Sequence, residues 1–305
     1  MFRVLLLLLV LGVRPLGAQV QRFTYSEVHL GVPVRLVLFS DDSARARIAA
    51  RSAFDRIAAI DAALSDYRPD SDLRLLEHAA ADTLVPISDD LFVALSLALK
   101  IARETDGAFD PAAGALTRLW RAARDRGGIP DSAAVVDAHA RGGWQRVGLD
   151  TARRAARLPR GLQLDFGGIG KGYALQMAFD LLRTRGITQA LLEAGGDIVV
   201  GDAPPGADGW EIVTGDAQEP PRYLVNAALS TSGSTEQFVE VEGRRYSHVI
   251  DPRTGWAVTH TDEVSVIASD GVYADALSTA FNVLGRDRAL ALADRWPALL
   301  ALRWH

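Results

Sequence analysis

The 305-residue chain contains no cysteine, so no disulfide can brace it and its fold must rest on an apolar core. It has only two lysines, Lys100 and Lys171, and otherwise carries its positive charge as arginine. The net charge of -5, with both signs interspersed, excludes the basic patch that a nucleic-acid binder needs. Beyond the first 18 residues no apolar run suggests a membrane span, and there is no internal repeat or low-complexity tract.

At the start of the chain, Arg3 precedes an apolar run from Val4 to Val13, Arg14-Pro15 break the run, and the small pair Gly17-Ala18 follows. This order of charge, short apolar core and small residues predicts a secretory signal over 1–18, with Gln19 opening the exported form. An uncleaved N-terminal anchor is the alternative. Export would place the protein in the periplasm or at the outer face of the inner membrane. Residues 19–305 are long enough to bury one large core.

Alternating apolar and polar residues predict strands over Phe23–Leu30 and Val32–Phe39. Helices are expected over Asp41–Ala63, with Ile48, Phe54, Ile57 and Ile60 on one apolar face, and from Ser88 to Asp106-Gly107. Two more follow Asp110-Pro111 and Pro130-Asp131. The second half reads as short strands at Gln163–Asp165, Gln189–Glu193, Ile198–Gly201, Trp210–Thr214, Ala227–Thr231, Phe238–Val241, Tyr246–Ile250, Val264–Ala268 and Leu299–Leu302. Helices at Lys171–Arg185, Val272–Leu284 and Arg288–Trp296 lie among them. The order predicts a single α+β domain with a mixed, largely antiparallel sheet flanked by helices.

The segment Leu164–Ala174 joins an apolar strand to a long helix through Gly167, Gly168, Gly170 and Gly172, and it holds Lys171. Glycines at such a junction let the backbone approach a ligand, and the first amides of the helix favour an anion such as a phosphate. A tight structural turn is the other reading. A P-loop is excluded because Gly172, not Ser or Thr, follows Lys171. The Asp165-Phe166-Gly167 triplet lacks the other protein-kinase signatures.

Four further polar clusters fall at element ends, where sites are usually built. They are Ser65–Ser71; Gly107–Pro111; Ser230–Gly233 with Tyr246–Gly255; and Ala274–Ala280. In this order and spacing the five clusters resemble the ApbE family of FAD:protein FMN transferases, from about Val28 to the C-terminus. The most specific strings are His248-Val249-Ile250-Asp251-Pro252-Arg253-Thr254-Gly255 and Ala274-Asp275-Ala276-Leu277-Ser278-Thr279-Ala280.

The resemblance implies an ApbE, T-fold-like domain whose residues divide by role. Tyr67 matches the aromatic residue stacked on the flavin ring. Ala108, Phe109 and Asp110 match the segment lining the adenine end. Leu30, Asp165 and Val249 match further flavin contacts, and the Gly168 carbonyl matches a metal ligand. Lys171 suits the charge of a pyrophosphate. Asp275, Ser278 and Thr279 lie at i, i+3 and i+4, so their oxygens can share one helix face, and hard oxygen ligands of this kind suit Mg2+. His248, the one histidine inside a motif, is the candidate general base beside Asp251, with Lys171 completing the catalytic set.

The implied activity is Mg2+-dependent transfer of FMN from FAD to a threonine of an exported flavoprotein domain of a membrane redox complex, with release of AMP. An FAD pyrophosphatase and a non-enzymatic flavin-binding protein are the alternatives. Two departures stand out: Leu30-Gly31-Val32 replaces the family's Met-Gly-Thr, and Leu76-Glu77 occupies the place of an expected Asn.

Overall fold

The computed structural model describes residues 19–213, 220–233 and 237–305. The predicted signal at 1–18 and Thr214, the end of one predicted strand, lie outside the described residues. No described helix is long and apolar enough to cross a membrane.

The scaffold is one seven-stranded sheet made of β1 (Gln21–His29), β2 (Val32–Ser40), β3 (Ala190–Ala194), β4 (Asp197–Val200), β5 (Ala227–Ser232), β6 (Val264–Ala268) and β7 (Leu299–Trp304). The strands lie side by side in chain order, and each pairing is antiparallel. Side-chain alternation sorts the residues between two faces. Val34, Leu36, Leu38, Leu192, Val264 and Val266 face the helices, whereas Val37, Leu191, Val200, Leu229 and Ile267 face a small hairpin of Trp210–Ile212 and Arg222–Leu224.

Among the described residues eight α-helices complete the fold: α1 (Ser43–Leu64), α2 (Asp72–His78), α3 (Asp89–Glu104), α4 (Gly114–Arg124), α5 (Ser132–Arg141), α6 (Gly170–Thr184), α7 (Gly271–Leu284) and α8 (Arg286–Ala293). Sequence signals explain their starts. Asp42, Ser71, Ser88, Asp131 and Asp270 each accept a hydrogen bond from an amide of the first turn, which is N-capping. In α1 the buried stripe is Ala46, Ala49, Ala50, Ala53, Phe54, Ile57 and Ile60. Ile48, expected on that stripe, is 58% exposed. It sits nine residues before Ile57, about two and a half turns, and so points the opposite way.

Gln163–Asp165 is not a strand. Its backbone pairs elsewhere: the Gln163 carbonyl accepts from the Gly114 amide (3.0 Å), the Asp165 amide donates to the Pro111 carbonyl (2.8 Å), and the Leu164 amide donates to Glu77 Oε1 (2.7 Å). Leu164 is buried between half-buried polar neighbours because the segment lies against α4, not because it joins the sheet. Helix α2 escaped the sequence reading because its seven residues show only one apolar repeat, Leu73 and Leu76.

Candidate active site

Two hairpin turns and the glycine junction meet at one end of the sheet. The β1–β2 turn is Leu30-Gly31, with φ of 55° and 75°, and the β3–β4 turn is Gly195-Gly196, with φ of 55° and 90°. Both are two-residue turns with positive φ at each centre, the twist-matched hairpin type, and Leu30 accepts a conformation that is unusual for a branched residue. The register Val34↔Ala194 sets the two turns at the same sheet end. A Cβ on Gly195 would lie 3.5 Å from Val32 Cγ1 and 3.8 Å from Lys171 Cε, so the turn, β2 and the glycine junction meet there.

Helices α6 and α7 cross just behind this junction. A Cβ on Gly172 would collide with the Gly271 carbonyl oxygen and lie 2.7 Å from Asp275 Cβ. Gly172 is therefore a close-packing glycine, and its amide donates to Asp275 Oδ2 at 2.9 Å. Gly168 fits closely but with more room: a Cβ there would stand 3.0 Å from Thr279 Oγ1. The crossing thus brings Gly168, Lys171, Asp275 and Thr279 together. Ser278 goes elsewhere. Its hydroxyl lies 3.1 Å from Ser230 Oγ and donates to the Asp275 carbonyl at 2.9 Å, because its position on α7 faces the sheet. Its observed role is to tie α7 to β5.

Asp197, the first residue of β4, adds a second carboxylate. Asp275 and Asp197 are 3% and 4% exposed. Lys171 Nζ lies 2.8 Å from Asp197 Oδ2. That oxygen nevertheless has no directed hydrogen bond, so the pair satisfies charge better than it satisfies hydrogen-bonding direction. The Asp275 carboxylate, and then Asp197, hold the Lys171 ammonium above its usual range. Burial, and then the Asp197 charge, push the Asp275 carboxyl up to about 7. Two buried carboxylates share one cation.

Tyr67 is 73% exposed, and the Arg121 guanidinium lies 4.4 Å from its ring centroid. One face of the ring is backed by a cation while the side chain remains largely open, the form of a stacking platform. Arg121 Nη1 donates to Asp66 Oδ2 at 3.0 Å. Asp165 contributes to the charge felt by both Tyr67 and Arg121, and its Oδ1 accepts from the Gly167 amide at 2.6 Å, shaping the junction.

Ala108 and Phe109 are buried, and Phe109 closes on Gly168. Asp110 is committed to backbone: it accepts from the Ala112 amide (2.7 Å) and the Trp144 amide (3.1 Å). Burial pushes its carboxyl up to about 6.

His248 lies between a hairpin of Phe238–Val241 with Arg244–Ser247 and a second of Ile250–Asp251 with Trp256–Ala257. Its Nδ1 is 3.2 Å from the Gln237 carbonyl. A carbonyl can only accept, so this contact favours the Nδ1–H tautomer and leaves Nε2 as the basic nitrogen. The flanking backbone is fixed: the Ser247 amide donates to the Val258 carbonyl and the Val258 amide to the Val249 carbonyl, both at 2.9 Å. Val249 is buried. Asp251 gives its carboxylate to Arg253, with Nε and Nη2 at 2.8 and 2.7 Å and the Arg253 amide at 2.9 Å. The carboxylate of Asp251, which the sequence places in the catalytic set, thus shapes the turn at 252–255.

The model of the ApbE family matches residues 30–302. The chain belongs to the ApbE family. It is 33% identical to the FAD:protein FMN transferase of Treponema pallidum, over 93% of this chain and 85% of that protein. A protein of the same description from Klebsiella pneumoniae is 30% identical, over 88% and 84%. The solved flavinyl transferase ApbE of Pseudomonas stutzeri, in its apo form, superposes with a TM-score of 0.81 at 30% identity, covering 91% of this chain and 88% of its own. The ApbE protein of Thermotoga maritima gives 0.81 at 28% identity, covering 92% and 93%.

Within this ApbE site the residues fit a hard cation. No three His, Cys, Asp or Glu side chains among the described residues form a metal cluster, so a cation here needs mixed ligands. Asp275, the Thr279 hydroxyl and the Gly168 carbonyl supply oxygen donors, and the two carboxylates exceed the one ammonium by a charge. Sequence reading missed Asp197 and Arg121. The signal for Asp197 was a carboxylate opening an otherwise apolar strand directly after Gly195-Gly196. Arg121 carried no local signal, because its partners lie more than 50 residues away.

Proposed function

We propose that this ApbE-family transferase binds FAD across the glycine junction and moves its FMN moiety to a threonine hydroxyl of another protein. Tyr67 supports the flavin ring, and Lys171 with the start of α6 faces the pyrophosphate. Leu30, Asp165 and Val249 border the flavin, and Ala108, Phe109 and Asp110 shape the adenine end. Asp275, Thr279 and the Gly168 carbonyl would hold Mg2+, which when bound supplies Lewis-acid neutralisation of the phosphates.

In the reaction His248 Nε2 accepts the threonine hydroxyl proton as the oxygen attacks the FMN-side phosphorus. The new bond is a threonine–phosphorus ester. The bond that breaks joins that phosphorus to the bridging oxygen, which leaves with AMP. Lys171 stands where negative charge grows on the leaving side. Asp251 positions the His248 segment through Arg253. The signal-like residues 1–18 support an exported acceptor, a flavoprotein domain of a membrane redox complex.

The observation that carries this reading is the Lys171–Asp197–Asp275 cluster beneath the glycine junction, short of one positive charge. The test is incubation of the protein with FAD, Mg2+ and a flavin-domain acceptor. A fluorescent acceptor band in a denaturing gel, with stoichiometric AMP, is the expected result. AMP without acceptor fluorescence would make the protein a pyrophosphatase, and neither would make it a binding protein.

A further inference from the structure

Helix α4 touches both halves of the site. On one side Arg121 reaches Asp66 and backs the Tyr67 ring, while Arg118 Nη1 and Nη2 donate to Glu77 Oε2 and Oε1 at 3.2 and 3.1 Å. Glu77 in turn accepts from the Leu164 amide at 2.7 Å, at the entry to the glycine junction. On the other side Trp120, 2% exposed, donates from Nε1 to the Gly255 carbonyl at 2.9 Å. Its ring packs 5.9 Å from Tyr246 and 5.8 Å from Trp256. Trp120 therefore grips the tip of the hairpin whose root carries His248, and it also touches the strand residue two before that histidine.

We infer that α4 is the spacer that sets His248 against the bound flavin nucleotide, with Trp120 and Arg121, consecutive residues on two sides of the helix, as positioning residues for its two contacts. The inference rests on the reading of His248 as base and Tyr67 as platform. A packed α-helix is stiff, so a shift at the Trp120 contact or at the Arg121 contact misaligns the proton acceptor and the phosphorus without removing a reacting group. Misplacement of about 1 Å costs up to about 100-fold in rate.

The two arms should separate kinetically. Trp120→Phe keeps an aromatic ring in the cluster but removes the donor to Gly255. It should lower kcat for transfer about 10- to 100-fold with KM for FAD unchanged. Thr254→Val, at the exposed hairpin tip where the Thr254 hydroxyl accepts from the Trp256 amide at 3.2 Å, loosens the same element without touching the core and should lower kcat in the same sense. Arg121→Gln should raise KM for FAD about three- to tenfold with kcat little changed, and Arg121→Lys should recover part of the loss by keeping a cation near the ring. Rates are normalised to FAD-binding sites, so unfolded protein does not count. The inference is overturned if Trp120→Phe and Thr254→Val keep wild-type kcat while His248→Ala abolishes transfer. It is also overturned if Trp120 and Arg121 variants change KM and kcat alike. If His248→Ala or Tyr67→Ala is itself fully active, the underlying reading fails and takes the inference with it.

Discussion

Two carboxylates near α6, the half-buried Asp90 and the buried Asp275, meet opposite fates. Asp90, on α3, accepts from Arg56 Nη1 and Nη2 at 2.6 and 2.5 Å and from the Tyr173 hydroxyl at 3.2 Å. The Arg56 guanidinium holds its carboxyl below the usual carboxylate range. Asp275, on α7, receives the Gly172 amide and shares Lys171 with Asp197, and its carboxyl is pushed up to about 7. A carboxylate that only joins helices is saturated with its own bidentate partner. One left short of positive charge, at the glycine junction, is the one that the proposed function assigns to a cation.

The contrast breaks most sharply at the functional end. Asp275→Asn keeps the shape but removes the charge, and turnover should fall by about two orders of magnitude or more, measured as acceptor flavinylation. Its thermal stability should hold or rise, because relieving a buried charge offsets the lost contacts. Asp90→Asn should do the reverse. It leaves Arg56 without its ion pair and should lower stability by about 1–3 kcal/mol in denaturant titration, while the folded enzyme keeps its kcat. If both variants lose activity in proportion to stability, the distinction between the two regions collapses.

Platform residues should show a smaller effect. Tyr67→Ala removes a stacking surface worth about 0.5–1.5 kcal/mol, so FAD affinity should weaken by about an order of magnitude in fluorescence quenching. Unchanged affinity would leave Tyr67 as a surface residue packed on Arg121.

The smallest effect concerns pH, where the two carboxylates pull in opposite directions. Asp275 titrates higher when folded than its ordinary 3.8, so its contribution is present at acid pH and is lost as pH rises through about 7. Asp90 titrates lower, so its contribution is present above 3.8 and is lost as pH falls. In a chelator, then, the melting temperature should drop between about pH 5 and 8 by more in the wild type than in Asp275→Asn. Mg2+ should restore the wild type at the alkaline end and leave the variant unmoved.

Much of this is legible in the sequence. The alternation at Phe23–Leu30 and Val32–Phe39 and the helix starts at Ser88 and Asp131 are local signals, and the structure keeps them as strands and helix starts; the strings around His248 and Asp275 are local too, and the family they resemble is the one that matches. What stayed hidden depends on distant partners. Gln163–Asp165 reads as a strand because apolar burial looks alike against a sheet or against α4. Gly172 reads as a failed P-loop position until α7 crosses it, and only that crossing explains why no side chain fits there. Ser278 shares the spacing of a ligand, but its position on the helix turns it to Ser230. Asp251 sits beside the histidine in sequence yet gives its carboxylate to Arg253, two residues on.

The central claim is that the Lys171–Asp197–Asp275 cluster lacks one positive charge until a cation arrives. Carboxyl-carbon NMR of the protein, with Asp275→Asn used to assign its resonance, tests it most directly. In a chelator the Asp275 carboxyl should titrate near 7, and saturating Mg2+ should bring it well into the acid range. A carboxyl that titrates near 4 without metal, or one that Mg2+ does not move, would contradict the account.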